Sequence, residues 1–177
     1  MIAIAQVNQL NQAEFVELFG FVFEQTPEIA AQAWLQRPFI NRAQLHKVMA
    51  KIVQGLSATA QIQLICAHPD LGSRLAMAAV SVQEQSGVGL DRLTAAEYDR
   101  FHRLNERYKQ CFGFPFIIAV RNHTKESILA AFEQRLGHDR ETEQSTAIQE
   151  IIEIARLRLA DRIASGDRGS NAHFTHP

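Results

Sequence analysis

Apolar residues recur along most of this chain at spacings of three and four and almost nowhere in strict alternation, which predicts helix after helix. The first clear stripe is Phe15, Leu18, Phe19, Val22 and Phe23, preceded by Asn11 and Glu14 at capping-box spacing. Thr26-Pro27-Glu28 places a cap before a proline at the first helical position and opens a short helix carrying Trp34, ended by Pro38. Leu45, Val48, Met49, Ile52 and Leu56 form a third amphipathic segment. A fourth runs from about Thr59 to Ala67, where Pro69 stops it, because proline disfavours helical geometry in the residue before it. That residue is His68, so its side chain is expected at a helix end rather than on a helix face.

The pattern continues downstream. A helix is predicted from Ser81 to Leu90, and the Thr94-Ala95-Ala96-Glu97 box opens another whose stripe is Phe101, Leu104, Tyr108 and Phe112 before Gly113. Thr124 caps a helix carrying Ile128, Ala131, Phe132 and Leu136, closed by Gly137. The last helix is expected from about Thr142 to Ile163 on Ile148, Ile151, Ile152, Ala155 and Leu159. These signals make the fold class all-α, one domain of about eight helices over residues 1–165. The tail GDRGSNAHFTHP, 166–177, has no periodicity and is expected to be disordered.

Two stretches do not serve helical packing alone. FGFPFIIAV at 112–120 has the composition of a buried strand, but with no partner strand in the chain an extended buried loop is preferred. Backbone N–H and C=O groups in such a loop are available to a planar, urea-like ligand. The other is AHPDLGSRLAMAAVSVQEQSGVGLDRL, 67–93, with His68-Pro69-Asp70 at one end and Glu84-Gln85 sixteen residues on.

Composition changes this picture little. The 177 residues carry 46% hydrophobic and 21% charged side chains, ordinary for a soluble globular protein that needs no disulfide or metal to hold its core. A formal charge of −1 gives no electrostatic case for nucleic acid or an anionic membrane as partner. Cys66 and Cys111 form no paired motif, the N-terminus has no signal-peptide pattern, and no apolar run approaches the ~18 residues of a membrane span. Phe174-Thr175-His176-Pro177 is not a peroxisomal tripeptide, and the cytoplasm is the expected location. Seven dispersed histidines show no metal-ligand spacing, and there is no phosphate loop and no nucleophile elbow. Any catalysis must come from isolated acid–base groups in a pocket.

His68 leads the candidates because an imidazole exchanges a proton near neutral pH; the alternative is a histidine that caps the preceding helix. Glu84 either acts in the same pocket or closes a capping box with Ser81, and Gln85 either binds a ligand or is a solvated amide. Asp70 reads as a helix or turn cap, and His46, His102, His123 and His138 as surface or turn residues. Arg158 follows Ile151 by seven residues, which returns it to within roughly 20° of that apolar position. A guanidinium there binds an anionic or carbonyl ligand, forms a structural salt bridge, or lays its stem past the core. Arg162 shares that face, while Arg156 turns to solvent.

AHPDLG, Ser81-x-x-Glu84-Gln85 followed by GLDRLT, LNERY, FGFPFIIAV and IARLRL occur in this order, with FGFVFEQTPEIAAQAW and RPF upstream. In that order and spacing, from about Leu10 to Ile163, the chain resembles the OHCU decarboxylase family (2-oxo-4-hydroxy-4-carboxy-5-ureidoimidazoline decarboxylase), which acts in urate breakdown. The resemblance implies an all-α fold, a homodimer, and cofactor-free decarboxylation yielding (S)-allantoin. It also implies His68 and Glu84 as catalytic residues, with Pro69, Ser81, Gln85, Arg158 and the backbone at Phe116 and Ile117 binding the substrate. A one-turn difference in the last helix would put Arg162 in place of Arg158. The connector from Gly72 to Ser81 is shorter than in many members of the family. Rival readings are a noncatalytic helical module that binds ureide-like molecules and a metal-dependent ureide hydrolase.

Overall fold

The structure is a computed structural model, and residues 1–71 and 93–165 of it are described. The helix expected over Ser81–Leu90, the site candidates Ser81, Glu84 and Gln85, and the tail from 166 onward lie outside the described residues. Eight α-helices are present among the described residues, and no β-strand. They are α1 (Ile4–Val7), α2 (Gln12–Phe19), α3 (Pro27–Trp34), α4 (Arg42–Gln54), α5 (Ala58–Ala67), α6 (Ala95–Phe112), α7 (Lys125–Arg135) and α8 (Arg140–Arg162).

Each start carries its own chemical signal. Asn11 Oδ1 accepts the Glu14 N–H at 3.0 Å while Glu14 accepts the Asn11 N–H at 2.9 Å, the reciprocal box expected for α2. Thr26 does hold the cap position before Pro27, yet its hydroxyl donates to the Glu24 carbonyl at 3.1 Å instead of accepting from the helix. The last helix begins earlier than its apolar stripe implies, because Asp139 caps it through the Thr142 N–H at 2.8 Å. Helix α6 ends on Gly113, whose φ of 76° lies in the left-handed region that glycine enters without strain.

The α2 stripe outruns its helix. The helix stops at Phe19, and Val22 and Phe23 reach the core from the following loop, both buried. A Cβ at Gly20 would stand 2.6 Å from the Val16 carbonyl oxygen and 3.2 Å from Pro27 Cβ, so only glycine lets α3 fold back this tightly. Helix α2 then packs on α3, α3 on α4, and α4 and α5 both on the long α8, while α6 pairs with α7. The buried apolar side chains form one continuous cluster from Val7 to Ile163. The two ends of the described chain meet there: Ile2 N–H donates to the Arg162 carbonyl at 2.8 Å and Ala164 N–H to the Ile2 carbonyl at 3.0 Å.

The capping box of α6 also binds α7. Glu97 accepts the Thr94 N–H at 2.8 Å and pairs with Lys125 Nζ at 2.7 Å. Lys125 first, then the Thr94 amide, hold the Glu97 carboxyl down at about 2, against an ordinary 4.5. A depressed carboxylate contributes stability that is complete above pH 4.5 and fades as pH falls toward 2. Glu97→Gln is therefore expected to lower the melting temperature most near neutral pH, with the gap to wild type closing between pH 4.5 and 2. Thermal melts across that range check it, and a constant gap at every pH would assign the loss to packing.

Candidate active site

His68 closes α5 with extended backbone angles, φ −75° and ψ 137°, as the proline after it requires. The chain turns there, and the imidazole folds back over the last helical turn, where Nδ1 lies 2.9 Å from the Leu64 carbonyl oxygen. A carbonyl only accepts, so Nδ1 carries the proton, and in the neutral ring Nε2 is the basic nitrogen. The ring is 4% exposed. One contact thus caps the helix and sets the tautomer, so the two readings of this histidine from sequence are compatible.

The turn that carries His68 is tied to α6. Asp70 accepts from Asn105 Nδ2 at 3.1 Å and pairs with Lys109 Nζ at 2.9 Å. The carboxylates of Glu106 and Asp70 raise Lys109 above its ordinary range, as expected of an ammonium held between two anions. Asp70 therefore anchors the turn.

A pocket opens beside the imidazole. His68, Pro69 and Leu71 form one part of its lining, Phe116, Ile117, Ile118 and Val120 another, and Ile154 of α8 closes it. The space, open mouth included, is ≈ 270 Å³.

The second part is a backbone wall. Residues 115–119 belong to no helix or strand, and Phe116, Ile117, Ile118 and Ala119 are all buried. Proline at 115 and the left-handed Gly113 prevent α6 from continuing into them. Phe116 is seated by stacking on Phe132 of α7, with ring centroids 3.7 Å apart. Ala119 donates its N–H to Glu150 Oε2 at 2.8 Å, and Val120 N–H closes an inverse γ-turn on the Ile118 carbonyl at 2.9 Å, with Ala119 at φ −74° and ψ 77°.

Behind the wall lies a polar cluster that the stripe reading does not reveal. Glu143 of α8 is fully buried, and its Oε1 accepts from Arg135 Nε at 2.8 Å and Nη2 at 2.5 Å and from the Tyr108 hydroxyl. Its Oε2 accepts from His138 Nδ1 at 2.8 Å. Burial, then the adjacent Glu143 carboxylate, push the Tyr108 phenol far above its ordinary value, so it stays protonated and donates. His138 is half-buried in this cluster, in the turn between α7 and α8, while half-buried His46 reaches the Ile152 carbonyl at 2.9 Å from within α4 and is not the surface or turn residue expected from sequence.

Of the expected site residues, His68, Pro69, Phe116 and Ile117 share one pocket. Arg158 follows Ile154 by four residues on the same face of α8, but its guanidinium holds the α2–α3 loop. Its Nη1 donates to the carbonyls of Phe21 at 2.9 Å and Val22 at 3.1 Å, and Nη2 pairs with Glu24. These bonds take both terminal nitrogens and leave Nε–H out. Arg162 lies over the Phe21 ring at 4.9 Å. Leu71, Ile118 and Val120 join the pocket from the two stretches singled out in the sequence, whereas Ile154 carries no signal there beyond being apolar. Among the described residues no group of three or more His, Cys, Asp or Glu side chains stands in metal-binding array, and no helix is long and apolar enough to cross a membrane.

Fold and site together define a small all-α protein whose pocket joins one buried histidine to an irregular backbone wall. A family model for OHCU decarboxylase matches residues 8–160 of this chain. The 2-oxo-4-hydroxy-4-carboxy-5-ureidoimidazoline decarboxylase of Haloferax volcanii is 42% identical over 164 residues, 93% of this chain and 98% of the relative. That of Amia calva is 41% identical over 89% of this chain and 93% of the relative. Among solved structures, a crystal structure of (S)-allantoin synthase superimposes with a TM-score of 0.73 at 32% identity, covering 92% of this chain and 54% of that one. The chain belongs to the OHCU decarboxylase family.

Proposed function

We propose that this protein decarboxylates 2-oxo-4-hydroxy-4-carboxy-5-ureidoimidazoline to (S)-allantoin in urate breakdown, as the names of its relatives describe for them. A further relative, 41% identical over 92% of this chain, is the uric acid degradation bifunctional protein PucL of Bacillus subtilis, of which the match spans 33%. The observation that carries the reading is His68: buried in a small pocket, with Nδ1 bonded to a carbonyl, which makes Nε2 the basic nitrogen of the neutral ring.

The substrate holds its own electron sink. One ring carbon bears both the carboxylate and a hydroxyl, and the neighbouring ring carbon is the carbon of a C=N bond. As the bond to the carboxylate breaks and CO₂ leaves, its electron pair forms a new C=C bond and the C=N pair moves onto nitrogen, which takes a proton. The resulting enol loses its hydroxyl proton to become the ring carbonyl, and the adjacent carbon takes a proton to become the stereocentre of allantoin. His68 Nε2 is the group suited to accept the hydroxyl proton and to return one to a single face, which yields one enantiomer. No cofactor is called for in this scheme.

The remaining roles follow the resemblance. Glu84 orients His68, and Ser81, Gln85 and Arg158 bind the ureido and ring oxygens, with Pro69 and the backbone at Phe116 and Ile117 as the facing wall. Arg158 enters through Nε–H while its terminal nitrogens keep the 21–24 loop in place. Arg158→Ala is accordingly expected to raise KM about tenfold and also to lower the melting temperature, whereas Arg162→Ala leaves KM within about twofold. Steady-state kinetics on the two variants decide between them, and the reverse order would move the ligand role to Arg162. A cytoplasmic homodimer completes the proposal, and light scattering on the purified chain tests the dimer.

The functional reading itself is tested by generating the unstable substrate in situ from urate and adding this protein with EDTA. Absorbance decay well above the uncatalysed rate, unchanged by the chelator, is the expected result. Decay at the blank rate would favour the noncatalytic ureide-binding module, and loss of activity in EDTA the metal-dependent hydrolase.

A further inference from the structure

We propose that Arg135 is a positioning residue for this reaction, setting the orientation of the backbone wall that shares the pocket with His68; the proposal rests on the pocket being the substrate site. Arg135 is 5% exposed and lies between two duties. One edge of its guanidinium, Nε and Nη2, is spent on Glu143. Nη1 donates instead to the Ile117 carbonyl at 2.8 Å, and Cζ lies over the Phe116 ring, 4.4 Å from its centre. A single side chain therefore holds the ring and the carbonyl of two consecutive wall residues.

The consequence follows from peptide geometry. A trans peptide unit points its C=O and N–H in opposite directions. Anchoring the Ile117 carbonyl on Arg135 turns the Ile118 N–H to the other side. Ile118 lines the pocket and is 5% exposed, and no hydrogen bond among the described residues uses its N–H. A buried amide donor calls for an acceptor, and a ureido or ring carbonyl oxygen of the substrate is one of suitable chemistry. Glu150 holds the next unit through the Ala119 N–H at 2.8 Å, so the wall is restrained on both sides of the donor.

A structural ion pair alone would be served by any cation beside Glu143. Only a planar fork supplies donors toward the carboxylate and toward the wall at once, which lysine lacks. Tyr108 provides the control: its hydroxyl donates to Glu143, and its ring meets Phe116 edge-on with centroids 5.1 Å apart. Tyr108→Phe weakens the same buried cluster yet keeps the ring contact and leaves the Arg135–Ile117 bond intact.

The experiment compares the full-length Arg135→Lys and Tyr108→Phe proteins for melting temperature, steady-state kinetics and the amide resonance of Ile118. Both variants are expected to melt earlier. Arg135→Lys raises KM about tenfold with kcat within about threefold and shifts the Ile118 amide, while Tyr108→Phe changes neither KM nor that amide by more than a small margin. An unchanged KM in Arg135→Lys, or an equal rise in both variants, would overturn the proposal and leave Arg135 a structural residue. Wild-type protein assayed alongside separates the two levels of the argument: absent wild-type turnover overturns the functional reading and the catalytic role of the wall, whereas normal turnover with a normal Arg135→Lys KM overturns the positioning role only.

Discussion

Replacing His68 with alanine is expected to lower kcat by about 10³-fold while the helical circular dichroism spectrum is retained. General acid–base catalysis by one positioned side chain contributes typically 10²–10⁴-fold, and no second histidine lines this pocket among the described residues. The helix cap is lost as well, since Nδ1 bonds the Leu64 carbonyl, at a cost of about 1 kcal/mol. That is small against the several kcal/mol by which such a domain is stable, so the inactive variant remains folded. Asparagine, whose Nδ2 stands where the imidazole Nδ1 does, can keep the bond to Leu64 but cannot act as a base near neutral pH. His68→Asn is therefore expected to melt like wild type and remain as inactive as His68→Ala. Initial-rate assays beside thermal melts check both, and a His68→Ala protein with a tenth or more of wild-type activity would remove His68 from the chemistry.

The second large effect concerns stability. Glu143 is fully buried with Arg135 almost as buried beside it, and removing one partner of such a pair strands the other charge at a cost of about 3–5 kcal/mol. Glu143→Ala strands Arg135 and also deprives the Tyr108 hydroxyl and His138 Nδ1 of their acceptor. For a chain of this size each kcal/mol shifts the melting temperature by roughly 2–4 °C, so a fall of about 10 °C or more is expected. Differential scanning calorimetry measures it directly. A melt within 2–3 °C of wild type would mean that the cluster contributes little net stability, and the restraint it places on Ile117 would be correspondingly weak.

Much of this was legible in the chain because helical stripes and caps are local signals. Asn11 and Glu14, Thr94 and Glu97, Thr124, and the Gly113 stop all act within a few residues, and each stands where the sequence places it. The His68 geometry is local too, since Pro69 alone accounts for the extended backbone. The α2 stripe misleads by one turn because Val22 and Phe23 keep helical spacing while the chain has already bent at Gly20 to meet Pro27, a tertiary constraint.

The polar cluster was hidden for the same reason, although a trace of it exists. Arg135 follows Ile128 and Phe132 by seven and three residues, and Glu143 precedes Ala147 and Ile151 by four and eight, so each charge sits in the register of a buried stripe. A charge in core register on two successive helices signals a buried pair, but nothing local says that the pair will grip residue 117. Arg158 illustrates the converse. Its inward-facing position is readable from Ile151, whereas its partners Phe21, Val22 and Glu24 stand more than 130 residues away and come to it only through packing.

If this pocket is the active site, it directs proton delivery to one face of the product. The most direct test is the optical activity of allantoin formed from substrate generated in situ, followed by circular dichroism with wild-type and His68→Ala protein side by side. A growing (S)-allantoin signal is expected with wild type and only slow, racemic product with the variant. Racemic allantoin from wild type, or (S)-allantoin in full yield from His68→Ala, would contradict it.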